Sequence, residues 1–265
     1  MTDKEDSDDP LLRSAGVTAD RWTELRRHTA ARIALGRSGV SLPTREVLAF
    51  DLAHAQARDA VLLALDVKSL RTELEADGWT TLEVRSRAPN RRAYLARPDW
   101  GRRLDDYSVE TLTGHMGHRI DVVFVISDGL SSTAVQRHAA PLLRTIEPLL
   151  TPLSIAPLLI ATQARVALAD EVGEILGARI AISVIGERPG LSSPDSLGVY
   201  VTYSPRVGRS DAERNCISNI RPEGMSHAEA ASRLSLLINS ALQAAMTGVG
   251  LRTIADRSLQ GPARN

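Results

Sequence analysis

Two short loops and one amide-rich segment hold most of the residues able to do chemistry in this 265-residue chain. Ser127-Asp128-Gly129-Leu130-Ser131-Ser132 and Gly186-Glu187-Arg188-Pro189-Gly190 each combine glycine with polar side chains. Glycine lets a backbone approach a large flat ligand and offer its amides with no Cβ in the way, and Glu187 adds an acceptor for amide donors. Such loops also occur as plain strand-to-helix turns. The third segment, Asn215-Cys216-Ile217-Ser218-Asn219-Ile220-Arg221, contains the lone cysteine. A nucleophilic cysteine needs a lowered pKa and a partner base, and no signature of either accompanies Cys216. A contact residue or a small buried hydrophobe is expected there.

The histidines offer less. His115 and His118 stand at i,i+3, but Gly114 and Gly117 interrupt a helix and no carboxylate motif goes with them, so a metal site is not expected. Asp51, His54 and Arg58 are neighbours on a helical face, where His54 reads as a surface or interface histidine. There is no G-x-G-x-x-G after a strand, no Walker A, no G-x-S-x-G and no H-E-x-x-H. Generic NAD, ATP, esterase and zinc-hydrolase readings therefore lack support, and no catalytic residue is assigned.

These residues need elements to position them. Ile120–Ile126, Ile155–Ala161, Arg179–Ile185 and Gly198–Tyr203 are apolar, β-branched runs that read as buried strands, with Pro157 putting the second at an edge or a strand start. Helices are expected from Ser131 or Ser132, with Pro141 and Pro148 implying a kink or early stop. Others are expected over Leu168–Leu176, closed by Gly177, and from Ser226 to Thr247, where Ser226 and Glu229 have capping-box spacing. In the first half, helices are predicted over Val17–Arg32, capped by Thr18, and over Pro43–Asp66. From Val67 to Gly117 one further helix and irregular structure read as a linker zone.

The fold class expected is α/β: an open, mostly parallel, Rossmann-like sheet in the C-terminal part, preceded by a smaller, mainly helical N-terminal part. The boundaries expected are a disordered tail at 1–15, a helical region with subunit contacts at 16–117, an α/β domain at 118–257 and a tail at 258–265. Ligands of such sheets sit at the carboxyl ends of the strands. That singles out Asp128-Gly129, the Gln163–Val166 turn, Gly186–Gly190 and the segment after Tyr203.

Composition excludes several classes. Lys plus Arg equals Asp plus Glu at 32 each, so nucleic acid is not an expected partner. No apolar stretch approaches the roughly 20 residues of a membrane span. Met1–Asp9 has no apolar h-region, and one cysteine fits a reducing compartment, so a cytoplasmic protein is expected. The arginines of 85–103 read as solvated loops or as a surface for a partner's carboxylates.

The strings SLPTREVLAFDLAHAQARDAV (41–61), ISDGLSSTAVQRHAAPLL (126–143), IGERPGLSSPDSLGVYVTYSPR (185–206) and NCISNIRPEG (215–224) resemble the light chain of ethanolamine ammonia-lyase. The resemblance implies a subunit of an adenosylcobalamin-dependent enzyme that turns ethanolamine into acetaldehyde and ammonia. Its large partner subunit, a TIM barrel, carries the chemistry in a higher-order hetero-oligomer, in some cases within a bacterial microcompartment. It further implies corrinoid contacts at Val166 of the Q-A-R-V turn, Glu187 of G-E-R-P-G and Cys216 of C-I-S-N-I; Asp128 and Gly129 join them as cofactor-binding candidates from their loop's place at a strand end. D-x-H-x-x-G, whose histidine ligates cobalt in many base-off cobalamin enzymes, is absent, in keeping with the base-on binding that the resemblance implies.

Overall fold

The computed structural model describes residues 16–115 and 119–251. The expected tails at 1–15 and 258–265, and His118 of the histidine pair, lie outside the described residues. The chain divides into two compact units between residues 59 and 60, with 190–193 grouped with the first.

In the first unit the apolar periodicity of Val17–Arg32 yields only a 3-10 turn, Thr23–His28. Thr18 is not a cap; it forms a β-bridge with Arg37. The physical reason is burial: Trp22 is 65% exposed and Leu25 44%, and a short helix that buries no face is marginal. Helix α1 spans Thr44–Leu62, with Pro43 immediately before its first turn as its fixed φ favours. Asp66, expected as its last residue, instead caps helix α2 (Val67–Ala76), accepting from the Ser69 N–H at 3.0 Å. His54 is exposed, as a surface histidine should be, with its ring parallel to that of Phe50, centroids 6.3 Å apart.

The second unit is built on a six-stranded sheet in the order β1-β3-β2-β4-β5-β6. Strands β1 (Thr81–Arg85), β2 (Val122–Ser127), β3 (Leu158–Thr162) and β4 (Ile180–Gly186) are mutually parallel. Strands β5 (Leu197–Tyr203) and β6 (Asn215–Ile220) run antiparallel at one edge. The mixed α/β architecture is the one expected, with two additions.

The first addition lies in 67–117, which is no linker. It supplies α2, edge strand β1, α3 (Arg91–Ala96) and α4 (Asp106–Thr113). Strand β1 escapes notice because its pattern, TLEVR, buries only Val84 fully. The second is β6, whose exposed Cys216, Ser218 and Asn219 break any apolar run. Pro157 precedes β3 as a strand-start proline should, and β3 is interior to the sheet.

Strand periodicity divides the core. Phe124, Ile126, Ile160, Ile182 and Val184 face one cluster with α5 (Ser132–Ile146) and α7 (His227–Ala244). Val123, Val125, Leu159 and Ala181 face another with α6 (Leu168–Leu176). Both faces are apolar, which is why the central strands read as unbroken runs. Pro141 sits inside α5 without ending it; the helix continues to Ile146, and Pro148 belongs to a following 3-10 turn. Gly177 caps α6 at φ +67 and Ser226 caps α7 by accepting from the Glu229 N–H at 3.2 Å. No helix among the described residues is long and apolar enough to cross a membrane.

A buried ion pair ties α6 to the strand edge. The Arg214 Nη1 lies 2.6 Å from Asp170 Oδ1 and 3.0 Å from the Thr202 hydroxyl, and both charged side chains are 2% exposed or less. The arginines of 85–103 are likewise consumed largely at home. Arg85 pairs with Asp105, Arg91 with Asp128, Arg97 with Asp99 and Arg103 with Glu171.

Candidate functional site

The parallel strands end at Arg85, Ser127, Thr162 and Gly186, and the loops that follow hold four of the five residues singled out from the sequence. Asp128 follows β2. It is 1% exposed, so its carboxylate is spent inside the chain. It accepts from the N–H groups of Gln163 at 2.9 Å and Ala164 at 3.1 Å, and Arg91 Nη1 stands 3.2 Å away. Burial pushes the Asp128 carboxyl up from its ordinary value, opposed by the Arg91 guanidinium and the donated amides. Asp128 thus shapes the turn leading to Val166, which is half-buried and opens α6, its carbonyl accepting from the Ala169 N–H at 3.2 Å.

Gly129 has φ +55, and a Cβ built on it would lie 2.2 Å from the Gly186 carbonyl oxygen and 2.5 Å from an Ile185 side-chain carbon. The close backbone approach anticipated at this glycine is therefore made by the chain itself. The Leu130 N–H donates to the same Gly186 carbonyl at 2.9 Å. This contact locks the β2 loop to the end of β4 and so to Glu187, the next residue.

Glu187 reaches across the antiparallel edge. Its Oε2 accepts from the Asn219 N–H at 3.2 Å and from the Ser196 hydroxyl, and its backbone N–H donates to Ser196 O at 2.9 Å. Gly198 is needed beside it, since a Cβ there would stand 2.9 Å from Glu187 Oε1. Asn219 holds a left-handed backbone, φ +59, where the β5–β6 register shifts.

Cys216 is paired with Tyr200, and Tyr200 with Ser183, so the three form one row across β6, β5 and β4. Although the residue as a whole is exposed, desolvation of its thiol against the sheet pushes Cys216 up, a hydrogen bond with Tyr200 opposes this, and the Glu187 charge adds to the rise. The Tyr200 hydroxyl is raised by burial first and then by Cys216 and Glu187. For Cys216, a shift in that direction disfavours the thiolate that a nucleophilic cysteine needs. On this side of the sheet α6 packs on β2 and β4, and Cys216 at the outer edge stays exposed. The Ser183 hydroxyl, by contrast, is buried and has no hydrogen-bond partner among the described residues. The structure thus gathers Glu187, Cys216 and, unmarked in the sequence reading, Tyr200. It links Asp128 to the Val166 turn and Gly129 to Glu187. Tyr200 was missed because it sits in a strand that reads as core; only its polar head on an alternating apolar run could have marked it.

A family model described as the ethanolamine ammonia-lyase light chain matches residues 19–252. The chain belongs to the ethanolamine ammonia-lyase light-chain family. Among its relatives, the ethanolamine ammonia-lyase small subunit of Ralstonia nicotianae is 52% identical over 261 residues, covering 97% of this chain and 95% of that protein. The small subunit of Xanthomonas campestris pv. campestris is 53% identical over 247 residues, 91% of each chain. That of Pseudomonas syringae pv. tomato is 50% identical over 258 residues, covering 94% of this chain and 90% of that one. All four sequence strings that carried the resemblance lie within the matched residues.

Proposed function

We propose that this chain is the small subunit of an ethanolamine ammonia-lyase and binds adenosylcobalamin at its interface with a large catalytic subunit, a TIM barrel, in a higher-order hetero-oligomer. The reaction is ethanolamine to acetaldehyde and ammonia. The observation that carries the reading is the grouping of Glu187, Tyr200 and Cys216 beside the buried Ser183 hydroxyl, unpartnered among the described residues. Corrin carries peripheral amides on an otherwise apolar ring. A carboxylate acceptor, two weakly acidic hydroxyl or thiol groups and an open sheet edge suit that chemistry.

Adenosylcobalamin, in its base-on form, would supply the 5′-deoxyadenosyl radical that starts the reaction. The residues here only bind and orient. Glu187 accepts from corrin amides, held in place by Ser196 and Asn219. Cys216, its thiol pushed up, would offer the cofactor a neutral contact. Val166 contributes apolar contact or its backbone at the end of the clamped turn. Asp128 and Gly129 act one step back, shaping the Val166 turn and the approach to Glu187. The half of the chain before residue 118 holds the large subunit, and the assembly works in the cytoplasm, or inside a microcompartment where one is made.

Mixing the chain with the large subunit and adenosylcobalamin tests this. Co-elution of both chains with the corrinoid absorbance supports it. A chain that stays monomeric beside the large subunit refutes it.

A further inference from the structure

The turn after β3 is held from every side. Asp128 accepts from the N–H groups of Gln163 and Ala164. The Ser86 hydroxyl donates to Gln163 O at 2.6 Å, the Tyr94 hydroxyl to Ala164 O at 3.1 Å, and the Arg165 N–H donates to Gly101 O at 2.8 Å. Four separate segments thus converge on three residues. What they enforce is costly: Gln163 has φ +55, a left-handed backbone that a long side chain adopts only against its preference. A plain turn would use glycine here.

Strain that the surroundings over-determine points to a residue whose side chain must stand in one place. The Gln163 side chain fits that description. It is half-buried, its Oε1 is enclosed with no hydrogen-bond partner, and its terminal amide makes no hydrogen bond to any described residue. An enclosed amide oxygen left unmatched in a folded chain marks a place that something else completes. It sits three residues before Val166, at the carboxyl edge of an interior parallel strand, where open α/β sheets take their ligands.

We propose that Gln163 is a further cobalamin-binding residue, its side-chain amide pairing with a peripheral amide of the corrin while Asp128, with Arg91 behind it, acts as the positioning group that keeps Gln163 left-handed. This rests on the cobalamin reading above. An amide both donates and accepts, so Gln163 answers a primary amide in both directions, which Glu187 cannot. Asp128 touches only protein and works through the turn.

The test uses the complex with the large subunit, comparing wild type with Gln163→Gly, Gln163→Ala and Glu187→Ala. Adenosylcobalamin affinity is read by visible absorption titration, and thermal unfolding is followed without cofactor. Both Gln163 variants are expected to bind about threefold to tenfold more weakly, the value of one lost hydrogen bond. Their stabilities should part company, because glycine relieves the left-handed strain and alanine keeps it. Gln163→Gly should melt at or about 2 °C above wild type, with Gln163→Ala below it. A structural turn residue would show affinity following stability. Unchanged affinity in both variants, with Glu187→Ala weakened, overturns the role of Gln163 alone, as does a loss confined to the glycine variant. A wild-type complex that binds no cobalamin overturns this proposal together with the reading it rests on.

Discussion

Gly129→Ala should be among the most damaging single substitutions of a glycine in this chain, and its cost divides into two parts. The left-handed backbone, φ +55, costs a non-glycine residue about 1–2 kcal/mol. The new methyl would also sit 2.2 Å from the Gly186 carbonyl oxygen and 2.5 Å from an Ile185 side-chain carbon, and forced overpacking costs about 1–3 kcal/mol. Together these give about 2–5 kcal/mol. Gly177 is the control, with φ +67 and nothing within 4 Å of the place a methyl would occupy; Gly177→Ala should lose only the backbone part, about 1–2 kcal/mol. Urea unfolding of both variants reads the difference directly. Because the methyl must push Gly186 away, Gly129→Ala should also weaken adenosylcobalamin binding through displacement of Glu187, and Gly177→Ala should not. Equal destabilisation of the two variants would refute the claim that the β2 loop is packed backbone to backbone against the end of β4.

Other outcomes follow from the same structure. Asp170→Ala leaves Arg214 charged in a site where its side chain is 2% exposed, so it should cost about 3–5 kcal/mol by urea unfolding; the double variant Asp170→Leu with Arg214→Met should recover much of that loss. His138 and His227 stand 3.3 Å apart between α5 and the start of α7, and both are held below the ordinary value of 6.5, chiefly by burial. A histidine whose folded pKa is depressed stabilises above its unfolded pKa and loses that contribution as pH falls. Stability should therefore decline from about pH 7 toward about pH 5, and His227→Gln should flatten that decline in thermal unfolding followed across pH; an unaltered slope would count against the pair.

The sheet was legible where both faces are buried. Val122–Ser127 and Ile180–Gly186 are apolar on each side, so composition alone marks them. It was illegible at the margins, where β1 and β6 alternate with exposed residues and carry charge or amides. Three caps were legible because their chemistry is local, Ser131, Gly177 and Ser226 acting as their types suggest, whereas Thr18 caps nothing and Asp66 caps α2 rather than ending α1. The Val17–Arg32 helix failed because periodicity promises burial, and Trp22 and Leu25 receive none. At the candidate site, Glu187 and Cys216 could be chosen from the sequence, but Asp128 changed character on folding. Its type and loop position suggested contact with a ligand, whereas its partners, Gln163 and Ala164, lie 35 and 36 positions away and no local pattern could name them.

The most direct test is the adenosylcobalamin affinity of the two-subunit complex carrying Glu187→Ala in this chain, measured by visible absorption titration with complex integrity checked by gel filtration. Loss of a hydrogen bond to a charged acceptor predicts affinity weakened by about tenfold or more in an intact complex. Affinity within about twofold of wild type in that intact complex, less than one such hydrogen bond is worth, would contradict the claim that this chain supplies part of the cobalamin site.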